Sequence, residues 1–171
     1  IATPTVTFRS GGDVITDGSV VYSNTSGNTW RAVYTANASD TDGAVTYSIA
    51  FSDTSGNAGT AVTSGSGSVT TDTAAPTLSS VSIASDNTNT SKAKAGDDVT
   101  LRFTASKSIS TPTVTFASGG STVNGNVTVQ NISGNTWTAS FATQANSTDG
   151  PVTFSISFND TVGNAGTAVT S

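Results

Sequence analysis

Residues 152–158 read VTFSISF, with Val152, Phe154, Ile156 and Phe158 alternating against Thr153, Ser155 and Ser157. A period of two places the four large apolar side chains on one face of an extended segment and the hydroxyls on the other, which is the pattern of a half-buried β-strand. The same pattern stands 107 positions earlier as VTYSIAF at 45–51. Working outward, SGNTWRA from Ser26 recurs as SGNTWTA from Ser133, and DTSGNAGTAVTS from Asp53 recurs as DTVGNAGTAVTS from Asp160. At this offset 28 of the 45 positions from Val20 to Ser64 are identical. IATPTVTFRSGG at the start recurs as ISTPTVTFASGG from Ile109, an offset of 108. The one-residue length difference therefore falls around Asp17-Gly18 and Asn124-Gly125, where an exposed turn absorbs it.

A repeat of this length implies two small units rather than one large domain in the 171 residues. Ser and Thr make up about a third of the chain, and the apolar residues set among them are largely β-branched or aromatic, which suits pleated surfaces. All eleven acids are Asp, against six Lys plus Arg, for a net charge of −5 and a pI near 4.2. No basic stripe exists to displace counterions from phosphate, so a nucleic-acid partner is not expected. No apolar run nears the ~20 residues of a membrane-spanning helix, so direct membrane insertion is not expected either. Without Cys or His, disulfide frameworks and zinc or haem ligation are excluded.

The seam is TTDTAAPT at Thr70 to Thr77, where Asp, small residues and Pro interrupt strand-like text. Two domains follow, 1–71 and 72–171. Within the second, alternation predicts strands at Leu78 to Ala84, Val99 to Ala105, Thr113 to Ala117, Val127 to Asn131, Thr136 to Phe141, Val152 to Phe158 and from Thr167. The inward positions are Val99, Leu101, Phe103, Val114, Phe116, Trp137, Ala139, Phe141 and the VTFSISF set; Trp30 and Trp137 are both read as core. About seven strands per complete repeat, with turn signals every eight to twelve residues, describe an all-β chain of tandem immunoglobulin-like antiparallel β-sandwiches. Residues 1–71 lack the first two strands of the repeat, and 72–171 lack the end of the last. The expectation is that the parent chain continues before Ile1 or that a neighbouring chain donates the strands.

Taken together, APTLSSVSIAS, AGDDVTLRFTAS, TPTVTF, GNTWTASF, TDGPVTFSISFND and GNAGTAVT resemble the bacterial immunoglobulin-like repeats of large surface adhesins and biofilm proteins. The resemblance covers essentially the whole chain. It implies a secreted or cell-surface array whose inner repeats serve as spacers in cell adhesion, with calcium often stiffening the joints.

Catalytic chemistry has little to work with, because His, Cys and Glu are all absent. Asp97 and Asp98 are adjacent, so a strand points them to opposite faces; a solvated turn before Val99 explains them. Lys92, Lys94 and Lys107 raise the question of a Lys-to-Asn crosslink, but all three lie in polar loop text. The Asp clusters are the remaining candidates. Ca²⁺ takes six to eight oxygens, which loops rich in Asp and Asn supply. Strand order in an immunoglobulin-like sandwich brings the loop carrying Asp40 and Asp42, the linker residue Asp72, and the Asp160 and Asn164 loop to the joint, as an interdomain calcium site. Asp-Gly and Asp-x-x-Gly-Asn are equally turn formers whose side chains bond their own backbone, so both readings stand.

The expected function is a non-enzymatic structural spacer in an extracellular adhesin, stalk or filament. Its partners would be neighbouring repeats of the same or identical chains, with any surface glycan or protein ligand held elsewhere in the parent. The alternative is a glycan- or protein-binding immunoglobulin-like module on a cell or virion surface.

Overall fold

The computed structural model describes residues 1–16, 20–123 and 125–171. The repeat-length difference read at Asp17-Gly18 and Asn124-Gly125 falls largely outside them. The chain is all-β: every described element is a strand, and every strand pairing is antiparallel. It divides into unit 1, Ile1–Ala74, and unit 2, Ala75–Ser171. The division falls inside the TTDTAAPT segment.

Unit 1 contains β1 (Thr5–Ser10), β2 (Asp13–Val14), β3 (Val21–Ser26), β4 (Thr29–Val33), β5 (Gly43–Ala50) and β6 (Thr70–Thr71). Unit 2 contains β7 (Leu78–Ser85), β8 (Asp98–Ala105), β9 (Thr113–Ser118), β10 (Ser121–Thr122), β11 (Thr128–Ser133), β12 (Thr136–Ala142), β13 (Val152–Ser157) and β14 (Val169–Thr170). All seven strands read from alternation are present. The addition is β10, which two residues are too short to betray by periodicity.

Two sheets make up unit 2, in the orders β10-β9-β13-β14 and β11-β12-β8-β7. Each contributes its apolar face to a single cluster: Val114, Phe116 and Ile156 from the first, and Leu101, Phe103, Trp137, Ala139 and Phe141 from the second. Phe103, Leu101, Ala139 and Ile156 are fully enclosed. Val152 and Phe154, also read as inward, are only half-buried, because β13 begins at the rim of the core. Ile109 is a core residue that alternation does not reveal, since it lies in the connection before β9.

Unit 1 repeats part of this plan. β1, β2 and β5 pair as β9, β10 and β13 do, and Ile49 bridges Val62 as Ile156 pairs Val169. β3 and β4 form a two-stranded sheet matching β11 and β12. Both hairpins turn at a glycine with φ near +50°, Gly27 and Gly134, where a side chain would be strained. In both, an Asn amide donates to the carbonyl of that glycine, Asn24 to Gly27 and Asn131 to Gly134, at 2.8 Å. No counterpart of β7 and β8 occurs in unit 1 among the described residues. Accordingly, Trp30 is half-buried rather than enclosed as expected, whereas Trp137 is buried at 8% exposure.

Candidate functional site

The densest polar arrangement is the turn DTVGN at 160–164. It opens after β13, where the chain must reverse within five residues. Asp160 performs the reversal: its Oδ1 accepts the backbone N–H groups of Val162 at 3.0 Å and of Gly163 and Asn164 at 2.8 Å. Its Oδ2 accepts the Asn164 amide at 2.9 Å and the Lys107 ammonium at 3.2 Å. Asp160 is 2% exposed, and its backbone forms an isolated antiparallel bridge with Ile109. Burial works to raise its pKa, but the Asn164 and Lys107 side chains and the turn's N–H groups outweigh it and hold the carboxyl well below the usual carboxylate range.

Unit 1 contains the same turn without the lysine. Asp53 accepts Ser55 and Asn57 N–H groups and the Asn57 amide, all within 2.9 Å, and its pKa is lowered chiefly by the Asn57 amide. Asp53 is exposed, and Lys107 has no counterpart among residues 1–74. The Asp-x-x-Gly-Asn motif thus folds the turn by itself. Lys107, in the polar loop between β8 and β9, adds an ion pair in unit 2, with its side chain 29% exposed. Lys107 and Asn164 share one oxygen of Asp160, the set a Lys-to-Asn crosslink would require.

Asp97 departs from expectation. It is 8% exposed, and its carboxylate accepts the Asn87 amide at 2.6 Å and both the backbone N–H and the ammonium of Lys94 at 2.9 Å. Those bonds, the Asn87 amide first, lower its pKa to about 2. It is a buried staple closing the loop between β7 and β8, where a solvated turn was expected. Asp98 is exposed and donates its N–H to Asp86, so the pair forms no dyad.

The residues read as calcium ligands are distributed over both units. In unit 1, Asp40 accepts the Asn37 N–H at 2.9 Å, Asp42 accepts the N–H and hydroxyl of Thr73 at 2.7 and 2.8 Å, and Asp72 is half-buried beside β6. In unit 2, Asp160 and Asn164 bond each other. Within neither unit do three or more carboxylates gather to hold a metal ion, among the described residues. Unit 2 also contains an open groove of about 660 Å³ between the β7–β8 loop, with Ser85 and Lys92, and the segment Ser147 to Pro151; Val99 and Phe141 form its floor.

Neither a family model, a curated protein nor a solved structure matches the chain.

Proposed function

We propose that the chain is a pair of tandem immunoglobulin-like β-sandwich repeats with a structural, non-catalytic function: it adds length to an extracellular or cell-surface adhesin, stalk or filament through neighbouring repeats. The observation that carries this reading is what the two units have in common. They repeat the strand pairings, the Gly-Asn hairpin turn and the Asp-x-x-Gly-Asn turn, all of which build scaffold. The titratable groups that are perturbed are tied into turns and are held ionised, unlike a catalytic acid or base poised near neutrality. Stacked repeats need only nearest-neighbour contacts to extend, and an acidic surface without Glu keeps close-packed copies apart.

The rival reading, a glycan- or protein-binding module, has the groove beside Lys92 in its favour. The groove offers hydroxyls and one cation, but its aromatic ring, Phe141, is buried in the floor with no face to stack on a sugar.

Stretching the 171-residue chain between its ends distinguishes them. A spacer resists force as a folded unit, so unit 2 should unfold in one step and release roughly 350 Å at about 3.6 Å per residue. Gradual extension without a force peak, together with saturable glycan binding that shifts resonances around Lys92, would replace the spacer with the binder.

A further inference from the structure

The exit of unit 1 is tied down residue by residue. β6 pairs Thr70 with Ala44 and Thr71 with Gly43, and just before it the Val69 carbonyl accepts the Val45 N–H at 2.8 Å. Thr71 is buried, and its hydroxyl oxygen lies 2.7 Å from that of Ser10, which is 1% exposed. The strand ends at Thr71. Two residues further on, one oxygen of Asp42 accepts both the N–H and the hydroxyl of Thr73, at 2.7 and 2.8 Å. These two bonds hold the backbone beyond the end of the ladder.

Asp42 is itself held in place. The hydroxyl of its neighbour Thr41 donates to Asp13 at 2.7 Å, and the Thr41 carbonyl accepts the Ser10 hydroxyl at 2.7 Å. A Cβ on Gly11 would fall 2.5 Å from the Asp42 carbonyl oxygen, and one on Gly43 would fall 2.8 Å from the Gly11 Cα. Only glycine fits at either position, so the turn between β1 and β2 closes against the segment before β5 and fixes where the carboxylate points. A carboxylate already in position loses little freedom on taking two donors, and hydrogen bonds to a charged acceptor are stronger than neutral ones.

We propose that Asp42 is a clamp on the exit of unit 1 that extends its rigid body through Thr73. Unit 2 takes hold of its own chain at Pro76, which is fully enclosed. Next to it, the Thr77 carbonyl accepts the Ser106 N–H at 2.8 Å and the Thr77 N–H donates to the Ser106 hydroxyl at 3.0 Å. The joint is therefore at most two residues long, Ala74 and Ala75, and Pro76 further restricts Ala75 to extended conformations. The purpose of such a joint rests on the spacer reading, since an array adds length in proportion to its repeats only where the joints are short. The stiffening agent is then a pair of hydrogen bonds within unit 1, where calcium was expected.

The test is ¹⁵N relaxation and amide exchange on the whole labelled chain. Backbone order parameters of Thr70 to Thr73 and of Thr77 should match the strands, near about 0.85. Asp42→Ala should drop Thr73 below about 0.6 and speed its amide exchange at least about tenfold, with β5 unchanged. Asp42→Asn, which keeps an acceptor oxygen, should restore most of the order. EDTA should change nothing. Four results overturn the clamp: a mobile Thr73 in the wild type, a Thr73 as ordered in Asp42→Ala as in the wild type, exchange that quickens along β5 as much as at Thr73, or order at Thr73 that EDTA abolishes. The third would make Asp42 a folding residue of unit 1, and the fourth would assign the stiffening to an ion. None of them alters the single-step extension expected of unit 2, so the clamp and the spacer reading fail separately.

Discussion

The rings of Phe116 and Phe141 meet with centroids 4.9 Å apart and planes tilted by 47°, and they come from opposite sheets of unit 2. Phe8 and Tyr34 repeat the contact at 4.9 Å and 44° in unit 1. The two ring pairs thus meet in nearly the same tilted arrangement, which is a favourable aromatic geometry.

Beside this pair stands Trp137, which is fully part of the closed core. Replacing Trp137 with Ala should destabilise unit 2 by about 3 to 5 kcal/mol, as truncation of a buried aromatic does. Trp30→Ala should cost unit 1 clearly less, since its ring is only half-buried. Urea unfolding followed by backbone amide signals of each unit separates the two. Equal losses would show that unit 1 encloses its tryptophan as completely as unit 2 does.

Gly166 touches the next layer of the core. A Cβ placed on it would collide with the Phe158 ring, and Gly59 stands in the same relation to Phe51. Its φ is not in the left-handed region, so the effect of Gly166→Ala is steric. The expected cost is about 1 to 3 kcal/mol, because Phe158 is 4% exposed and has little room to move. Adding Phe158→Leu should recover part of that loss, giving a non-additive double-mutant cycle. Additive losses would mean that the alanine clashes elsewhere.

Stability should also depend on acid. Asp97 has a folded pKa of about 2 against an ordinary 3.8, so the folded state binds its proton less readily than the unfolded state. Its contribution is fully present above pH 4 and is lost as the pH falls from about 4 to about 2. Asp160 acts in the same direction. The melting temperature of unit 2 should be flat above about pH 5 and should fall through that window. Asp97→Asn should lower the plateau and flatten the fall. A variant whose melting curve tracks the wild type at every pH would remove Asp97 from the account.

Calcium bears on the same carboxylates. Both oxygens of Asp160 are already engaged by five donors, and Asp42 by two from Thr73, so a cation would have to displace bonds that fold the turns. Millimolar Ca²⁺ is therefore expected to leave the melting of each unit unchanged. A rise reversed by EDTA would restore these Asp residues as ligands, since a ligand bound only by the folded state stabilises it by mass action.

The sequence by itself determined the strand set and the division into repeats. A two-residue period survives any tertiary arrangement that buries one sheet face, so VTFSISF and its partners announced their strands, and the 107-residue repeat aligned the units. The positive-φ turns at Gly27 and Gly134 were not read from the sequence, where SGNTW served only to align the repeat. What only the tertiary structure decided is what each polar residue faces. Alternation assigns a side chain to a face but does not measure how completely that face is covered; hence Trp30 and Trp137, in nearly identical text, differ in burial because β8 covers only one of them. Nor does spacing tell an Asp that folds its own turn from one that meets a partner distant in the chain. Lys107 and Asp160 are 53 residues apart, and only the packing of the β8–β9 connection against the 160–164 turn makes them an ion pair.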